Sequence, residues 1–339
     1  MDLITHYLQI ILLGIVEGVT EFLPISSTGH LLIAEHLLGT QEPDIFNVVI
    51  QAGAILAVVF IYWNKITGLI SNLDRPEARS YVAKVFLSFA ITTVLYLLVS
   101  KLIGHHKLTE SLGNVAWATL IGGLVIFGIE YFAKDLYSHD DVSWFEAVLI
   151  GAAQVVAAIF PGTSRSGATI MSGLAVGMKR PSVTEFSFIV GIPTMFAASA
   201  YATFKGREDL HGISHQLIID TALGFVVSGI VAFFVVKWLL RFVQSHTFNG
   251  FAIYRVILGG GLLIGLYTHA FSDVGNDKEK SVPVPAPVAI VAPSSASTDH
   301  TESVASLATN IDLSTVPASA TNTDTTPASP APATNVSTP

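Results

Sequence analysis

The stretch EGVTEFLPISSTGH, residues 17–30, places two glutamates, a histidine and a run of hydroxyl residues in a strongly apolar part of the chain. Pro24 disfavours helical backbone in the residue before it and has no backbone donor, so a helix should break there. The serines and the threonine that follow are good N-caps for a second helix. The stretch therefore predicts a helical hairpin that enters an apolar environment, turns at the hydroxyl-rich loop and leaves on the same side.

The composition of the chain is that of a membrane protein. Of the 339 residues, 51% are hydrophobic and only 12% are charged. The absence of cysteine excludes disulfides, thiolate nucleophiles and thiolate-bound zinc. Outside the hairpins, six windows are each about long enough to cross a bilayer core of roughly 30 Å as a helix. They are Phe46–Tyr62, Val85–Leu102, Val115–Phe132, Phe186–Phe204, Leu217–Leu240 and Phe251–Phe271.

A second stretch, GAAQVVAAIFPGTSRSG at residues 151–167, repeats the pattern of residues 14–30. An alignment without gaps pairs the two prolines and places Ser27 on Ser164. Three spans, an odd number, follow the first hairpin before the second begins, so the second half should be inverted relative to the first. Non-helical backbone at membrane depth is tolerated only where it lines a protein cavity, so the two loops should line one cavity.

These patterns predict an all-α integral membrane protein with an inverted-topology repeat, in which each half has a re-entrant helical hairpin and three transmembrane helices. The membrane domain is expected over residues 1–272, with repeat one at about 1–133 and repeat two at about 143–272. Residues 274–339 are rich in proline, alanine, serine and threonine and are predicted to form a disordered tail. When the chain is threaded through the membrane in this way, lysines and arginines, Arg255 among them, concentrate on one side. The positive-inside bias places that side in the cytoplasm and both termini outside.

Glu17 and Glu21 are four residues apart and therefore share one face of a helix. An acid at the membrane centre costs roughly 2.5–3.5 kcal/mol on insertion scales, unless something offsets that cost. A bound divalent cation, Mg²⁺ or Ca²⁺, would do so, because both ions prefer oxygen ligands. Two other interpretations remain open, namely a polar stripe at the headgroup interface and a carboxyl group that holds a proton and acts as an acid.

Ser27 and His30 are three residues apart, so a helix that begins at the loop can place the imidazole over the hydroxyl. A serine needs a neighbouring base to become a nucleophile, and histidine is the commonest base. The pair therefore indicates a nucleophile and its base. The alternative is that Ser26, Ser27 and Thr28 only cap the following helix, while His30 is a packed hydrogen-bonding residue.

The second loop, PGTSRSGAT, carries Arg165 between Ser164 and Ser166 at the start of a helix. A guanidinium, several hydroxyls and a helix N-terminus all bind phosphate oxygens, so these residues, with Ser26 and Thr28 of the first loop, are predicted to bind phosphate. Snorkelling of the arginine toward an interface is the alternative. Together, the two loops indicate phosphoryl transfer to a nucleophile.

The segments EGVTEFLPISSTGHL and PGTSRSGATI resemble the two signature segments of the undecaprenyl-diphosphatase family, which is also known for bacitracin resistance. The resemblance covers about residues 1–272 and includes FNVVIQAGAILAV after the first hairpin. It implies an enzyme of the bacterial inner (plasma) membrane that hydrolyses undecaprenyl diphosphate to undecaprenyl phosphate and inorganic phosphate. This reaction recycles the lipid carrier of peptidoglycan synthesis.

The resemblance also implies a catalytic set, a divalent cation and an active site that faces the periplasm. The set consists of Glu17, Glu21, Ser27, His30 and Arg165. Two mechanisms are left open. In one, Ser27 attacks with His30 as its base, and in the other His30 activates water while Ser27 is a ligand. The expected partners are the lipid substrate and membrane lipids, with no nucleic acid, and a homodimer is left open. A transporter or flippase for polyprenyl phosphate is the competing function.

Overall fold

The computed structural model describes residues 3–103, 111–133, 135–136, 138–205 and 214–268. Within these ranges the chain forms eleven α-helices and no β-strand longer than a single bridge. The predicted tail at 274–339 lies outside the described residues. The helices are α1 Leu3–Thr20, α2 Ser27–Leu38, α3 Asp44–Ile61, α4 Trp63–Ser71, α5 Pro76–Ile103, α6 Leu112–Phe132, α7 Trp144–Ile159, α8 Arg165–Ala175, α9 Arg180–Lys205, α10 His215–Phe242 and α11 Asn249–Tyr267.

Seven helices of the described ranges are long and apolar enough to cross a membrane, namely α1, α3, α5, α6, α9, α10 and α11. Six of them coincide with the predicted windows. The seventh is α1, the first arm of the predicted first hairpin, because its 18 residues also satisfy the length and hydropathy of a span. Length and hydropathy alone therefore give seven candidate spans, one more than the six predicted windows. The described part of the chain is all-helical, and the protein is a multi-pass membrane protein.

Both predicted helix breaks are present. The first helix ends at Thr20 and the next begins at Ser27, so Pro24 lies in the turn between them. In the second half α7 ends at Ile159 and α8 begins at Arg165, again with the proline in between. Each short helix packs against the helix before it, α2 on α1 and α8 on α7. The sequence signal of proline followed by hydroxyl residues is thus confirmed as a hairpin turn in both places.

The hairpins pack against long helices of the other half. The helix α1 packs on α10, and α7 packs on α5. The first spans after the hairpins, α3 and α9, pack on each other, and so do the last helices of the two halves, α6 and α11. A buried core joins Phe22 of the first hairpin turn to Phe186 and Phe188 of α9, and the rings of Phe22 and Phe188 pack edge to face at 5.2 Å. These contacts bring the two loops together.

The outer surface of this bundle is apolar. Large hydrophobic side chains such as Phe60, Trp117, Phe234 and Ile257 are more than half exposed. Such a surface suits the hydrocarbon core of a bilayer, where the backbone polar groups of each helix are satisfied internally. The exposed apolar side chains therefore agree with the high hydropathy of the long helices.

Glycines allow the helices to approach closely where the two halves meet. A Cβ atom added to Gly18 of α1 would lie 2.6 Å from the Ser228 carbonyl oxygen of α10. A Cβ atom on Gly53 of α3 would overlap the carbonyl oxygen of Phe225 on the same partner helix. Small residues at such contacts are the usual basis of close packing between membrane helices.

Replacing Gly53 with alanine should destabilise the fold, because the added methyl group has no space against the α10 backbone. Overpacking of this kind costs about 1–3 kcal/mol. The matched control is Gly128→Ala in α6, where a Cβ would meet nothing within 4 Å. Thermal unfolding in detergent should show a lower midpoint for Gly53→Ala and an unchanged or slightly higher one for the control. Equal midpoints for the two variants would contradict the packing described here.

Candidate active site

The two hairpin loops have the same unusual backbone at the residue that caps the following helix. Ser26 has φ 77° and ψ 103°, and Ser164 has φ 72° and ψ 114°. These are the non-glycine residues with positive φ in the described part of the chain. Each hydroxyl accepts a hydrogen bond from a backbone N–H three residues later, that of Gly29 at 3.4 Å and that of Gly167 at 3.1 Å. Such backbone costs of order 1–3 kcal/mol per residue and persists only where surrounding contacts hold it.

The shared caps correct the alignment of the two loops. The pairing of Ser27 with Ser164 was wrong by one residue, because Ser26 is the structural counterpart of Ser164. The physical reason is that the second loop has two residues between its proline and its cap, whereas the first has only Ile25. In the corrected register, Ser27 and Arg165 are equivalent, since each is the first residue of its helix.

These two equivalent residues both bind one carboxylate. The Ser27 hydroxyl donates a hydrogen bond to Oε2 of Glu21 at 2.5 Å. Nη2 of Arg165 donates to Oε1 of the same carboxylate at 2.9 Å. Glu21 is 6% exposed, so the contact is largely shielded from solvent. The predicted nucleophile, acid and phosphate ligand therefore meet at one point, with each half of the chain contributing.

Arg165 retains free capacity to bind an anion. Its Nη1 atom is buried and has no hydrogen-bond partner. Gly191 of α9 makes room for it, since a Cβ atom there would lie 2.5 Å from Nη1. A buried guanidinium nitrogen without an acceptor is unfavourable by itself, and a phosphate oxygen is a strong acceptor for it. The free nitrogen therefore suits a phosphate group beside Ser27.

Glu17 lies one helical turn before Glu21 and is 1% exposed. Both of its carboxylate oxygens are buried without a hydrogen-bond partner. A buried carboxylate needs a proton, a donor or a cation, so this unpaired group fits an oxygen-binding divalent ion as well as a proton. Among the described residues, no group of three or more histidines or acids could hold a metal ion. A cation at Glu17 would need further oxygen ligands from hydroxyls, carbonyls, water or substrate.

His30 is held away from Ser27. Its Nδ1 atom lies 2.6 Å from the carbonyl oxygen of Ser26, and its Nε2 atom lies 2.6 Å from the hydroxyl of Tyr254. A carbonyl can only accept, so the neutral ring carries its proton on Nδ1 and accepts from the tyrosine at Nε2. The rings of His30 and Tyr254 also stack, at a centroid distance of 5.7 Å. The expected contact between imidazole and serine hydroxyl is therefore wrong for this structure, because both groups have other partners.

The remaining predicted phosphate ligands differ in their surroundings. Ser166 is fully buried and donates to the Leu23 carbonyl oxygen at 3.0 Å. The hydroxyl oxygens of Ser164 and Ser166 lie 3.1 Å apart. These serines tie the second loop to the first. Ser26 is buried as a cap, and Thr28 is exposed. Of the proposed phosphate ligands, Arg165 is thus the one that has a buried side-chain atom with no hydrogen-bond partner.

Two residues of α11 were missed as parts of the site. Tyr254 forms a hydrogen bond with His30. In the sequence it is a tyrosine within a predicted span, and no motif marks it as a site residue. Arg255 was counted among the basic residues of the cytoplasmic face, but it is fully buried and contacts both loops. The signal for Arg255 was available, since a charged residue within an apolar run such as FAIYRVIL is a candidate functional residue by default.

Comparison with known proteins gives a consistent result. A family model described as bacitracin resistance protein BacA matches residues 10–261. A protein of Rhizobium etli (strain CIAT 652) named undecaprenyl-diphosphatase is 49% identical over 263 residues, which are 77% of this chain and 97% of the relative. A protein of Xylella fastidiosa (strain Temecula1) with the same name is 48% identical over 259 residues, covering 76% and 97%. The match spans both hairpins and all the site residues, and the chain therefore belongs to the bacitracin resistance protein BacA family.

Proposed function

We propose that this chain is a membrane hydrolase that converts undecaprenyl diphosphate to undecaprenyl phosphate and inorganic phosphate. In this role it recycles the lipid carrier of peptidoglycan synthesis and confers bacitracin resistance. The names of the relatives support this substrate. The observation that carries the proposal is the Glu21 carboxylate, which binds both Ser27 and Arg165 while a second guanidinium nitrogen remains unpaired. A nucleophile, its base and a phosphate ligand thus stand together.

Arg165 holds the terminal phosphoryl group through Nη1, beside the Ser27 hydroxyl. Glu21 takes the serine proton, because its Oε2 already accepts that hydrogen bond at 2.5 Å. A bond forms between Ser27 Oγ and phosphorus, and the bond from phosphorus to the bridging oxygen breaks. Undecaprenyl phosphate leaves with the electron pair and takes the proton from Glu21. Glu21 then accepts a proton from water, which attacks the phosphoserine, and returns it to Oγ as inorganic phosphate leaves.

The alternative in which His30 activates water is less well supported by the geometry. Its Nε2 atom, the nitrogen without a proton, already accepts from Tyr254. Water could reach it only after the tyrosine hydroxyl turned away. We therefore assign His30 to the shape of the first loop, which it stabilises through the Ser26 carbonyl, and Glu21 to proton transfer.

Glu17 is the residue that would hold a divalent cation, Mg²⁺ or Ca²⁺, since both its oxygens are buried and unpaired. Glu21 could share it, because each carboxylate oxygen has two lone pairs and accepts one hydrogen bond here. Such an ion, when bound, neutralises charge on the diphosphate. Without a cation, burial would favour the uncharged form of a carboxyl that has no other partner.

We infer that the two halves are inverted repeats with re-entrant hairpins. The packing pairs support this, because exchanging the halves turns the contact of α1 with α10 into that of α7 with α5. The contacts of α3 with α9 and α6 with α11 map onto themselves under the same exchange. The matched caps Ser26 and Ser164 support it as well. In this topology both termini lie outside, and the site opens to the periplasm from the bacterial inner membrane.

Phosphate release from undecaprenyl diphosphate by the purified full chain in detergent tests the function. We expect release that falls with a chelator of divalent cations, and a loss of at least about 100-fold in Arg165→Ala, because a preorganised anion ligand contributes this much or more. Arg79→Ala is the control, since Arg79 is exposed outside the site and should leave the rate unchanged. A folded wild-type protein that moves lipid without releasing phosphate would instead be a flippase.

Acid quench during turnover distinguishes the two mechanisms. We expect mass spectrometry to locate a phosphoryl group on Ser27 of the wild type, and Glu21→Gln to reduce its rate of formation because the proton acceptor is lost. Ser27→Ala should carry no phosphoryl group and should lose activity by roughly 100-fold or more. If Ser27→Ala retained most of the activity while His30→Ala lost it, the water mechanism would be correct.

A further inference from the structure

Arg255 of α11 is fully buried and donates to four backbone carbonyl oxygens. Nε donates to Thr119 at 3.1 Å, and Nη2 donates to Ala118 at 3.0 Å, so that two bonds reach α6. The other two bonds reach the hairpin loops. Nη1 donates to Pro24 at 3.1 Å, and Nη2 donates to Gly162 at 3.0 Å. One side chain thus links the first loop, the second loop and the pair α6 and α11.

The two loop carbonyls are those that the helix breaks leave without helical partners. Pro24 and Gly162 lie between the end of one helix and the start of the next, where no intrahelical N–H is available. An unsatisfied carbonyl within a membrane costs several kcal/mol, so a donor must be supplied by the protein. The planar guanidinium of Arg255, with five N–H donors, can serve both carbonyls at once. This requirement explains a buried arginine at this position.

The neighbouring helix leaves a space for this guanidinium. A Cβ atom on Gly122 of α6 would overlap Nη2 of Arg255, and one on Gly123 would lie 3.0 Å from its Cβ. The geometry of the bonds therefore depends on two successive glycines as well as on the arginine. Replacement of Gly122 offers a way to displace the guanidinium while leaving Arg255 in the chain.

We propose that Arg255 is a positioning residue, which fixes the distance between Ser27 and Arg165 by holding the backbone of both loops. The expected effect on the rate rests on the proposed hydrolysis, whereas the effect on the loop backbone does not. Ser27 follows Pro24 by three residues, and Arg165 follows Gly162 by three. A shift of either carbonyl therefore moves the nucleophile relative to the bound phosphoryl group. Arg255 itself bonds to backbone and not to the reacting atoms.

The test compares Arg255→Lys and Gly122→Ala with matched controls. Lysine keeps the charge but cannot reproduce the planar fork, and alanine at position 122 pushes the guanidinium from its place. Misplacement by about 1 Å can cost on the order of 100-fold in rate. We expect kcat to fall by about that factor per folded molecule, with KM changed much less. Arg241→Lys, on an exposed arginine, and Gly260→Ala, where a Cβ meets nothing within 4 Å, should behave as wild type.

Hydrogen exchange measured by mass spectrometry supplies a readout that does not depend on activity. In both variants the amides of residues 25–29 and 162–167 should exchange faster, while the rest of the bundle stays as in wild type. Unchanged exchange in either loop, or loss of protection throughout the bundle, would overturn the proposal. If Arg255→Lys does not fold, Gly122→Ala decides alone. If the wild type releases no phosphate, the proposed function fails, and the exchange data still decide whether Arg255 holds the loops.

Discussion

The buried carboxylate of Glu21 accepts hydrogen bonds from Ser27 and from Arg165, two residues that belong to different halves of the chain. A charge in an apolar interior is tolerated only when it is paired and hydrogen-bonded, so all three groups depend on one another. The pairing requires both hairpins to break at the same depth and to face each other. Much of the fold, including the packing of α1 on α10 and of α7 on α5, can be understood as the means of meeting that requirement.

The second constraint is the backbone of the loops themselves. Each break frees carbonyl and N–H groups that water cannot satisfy inside a membrane. Serine hydroxyls satisfy the N–H groups of Gly29 and Gly167, Ser166 satisfies the Leu23 carbonyl, and Arg255 satisfies one carbonyl in each loop. Most hydroxyls of the two motifs therefore have structural partners. Nη1 of Arg165 and the Glu17 carboxylate remain unpaired, and they are the groups proposed to bind the phosphate and a cation beside Ser27 and Glu21.

Local sequence rules predicted the features that depend on neighbouring residues. The prolines and the hydroxyl residues after them predicted both helix breaks, and the apolar windows predicted six of the seven long helices. The acidic pair was chosen because carboxylates are costly in a membrane, Ser27 for its spacing from His30, and Arg165 for its place among hydroxyls at a helix start. The structure brings Glu21, Ser27 and Arg165 together. Their catalytic roles remain predictions.

The errors concern partners that are distant in sequence. His30 is at the right spacing to lie over Ser27, but Tyr254, from a helix at the other end of the chain, holds it elsewhere. Arg255 was counted among the charges of the cytoplasmic face, because its four carbonyl partners come from three segments that are distant in sequence. The one-residue error in aligning the loops arose because each loop has two adjacent hydroxyl residues, Ser26 and Ser27 in the first and Thr163 and Ser164 in the second, so either register pairs hydroxyl with hydroxyl. No periodicity in the sequence encodes these choices, since they depend on which helices become neighbours.

A double-mutant cycle on Glu21 and Arg165 tests most directly whether the two hairpins form one site. The measurement is kcat/KM for phosphate release by wild type, Glu21→Gln, Arg165→Ala and the double variant, each shown to be folded. Residues that act as a unit are strongly non-additive. The account predicts that the double variant is about as impaired as the worse single variant. If the two fold-losses simply multiply, Glu21 and Arg165 act independently, and a single site shared by the two loops would be contradicted.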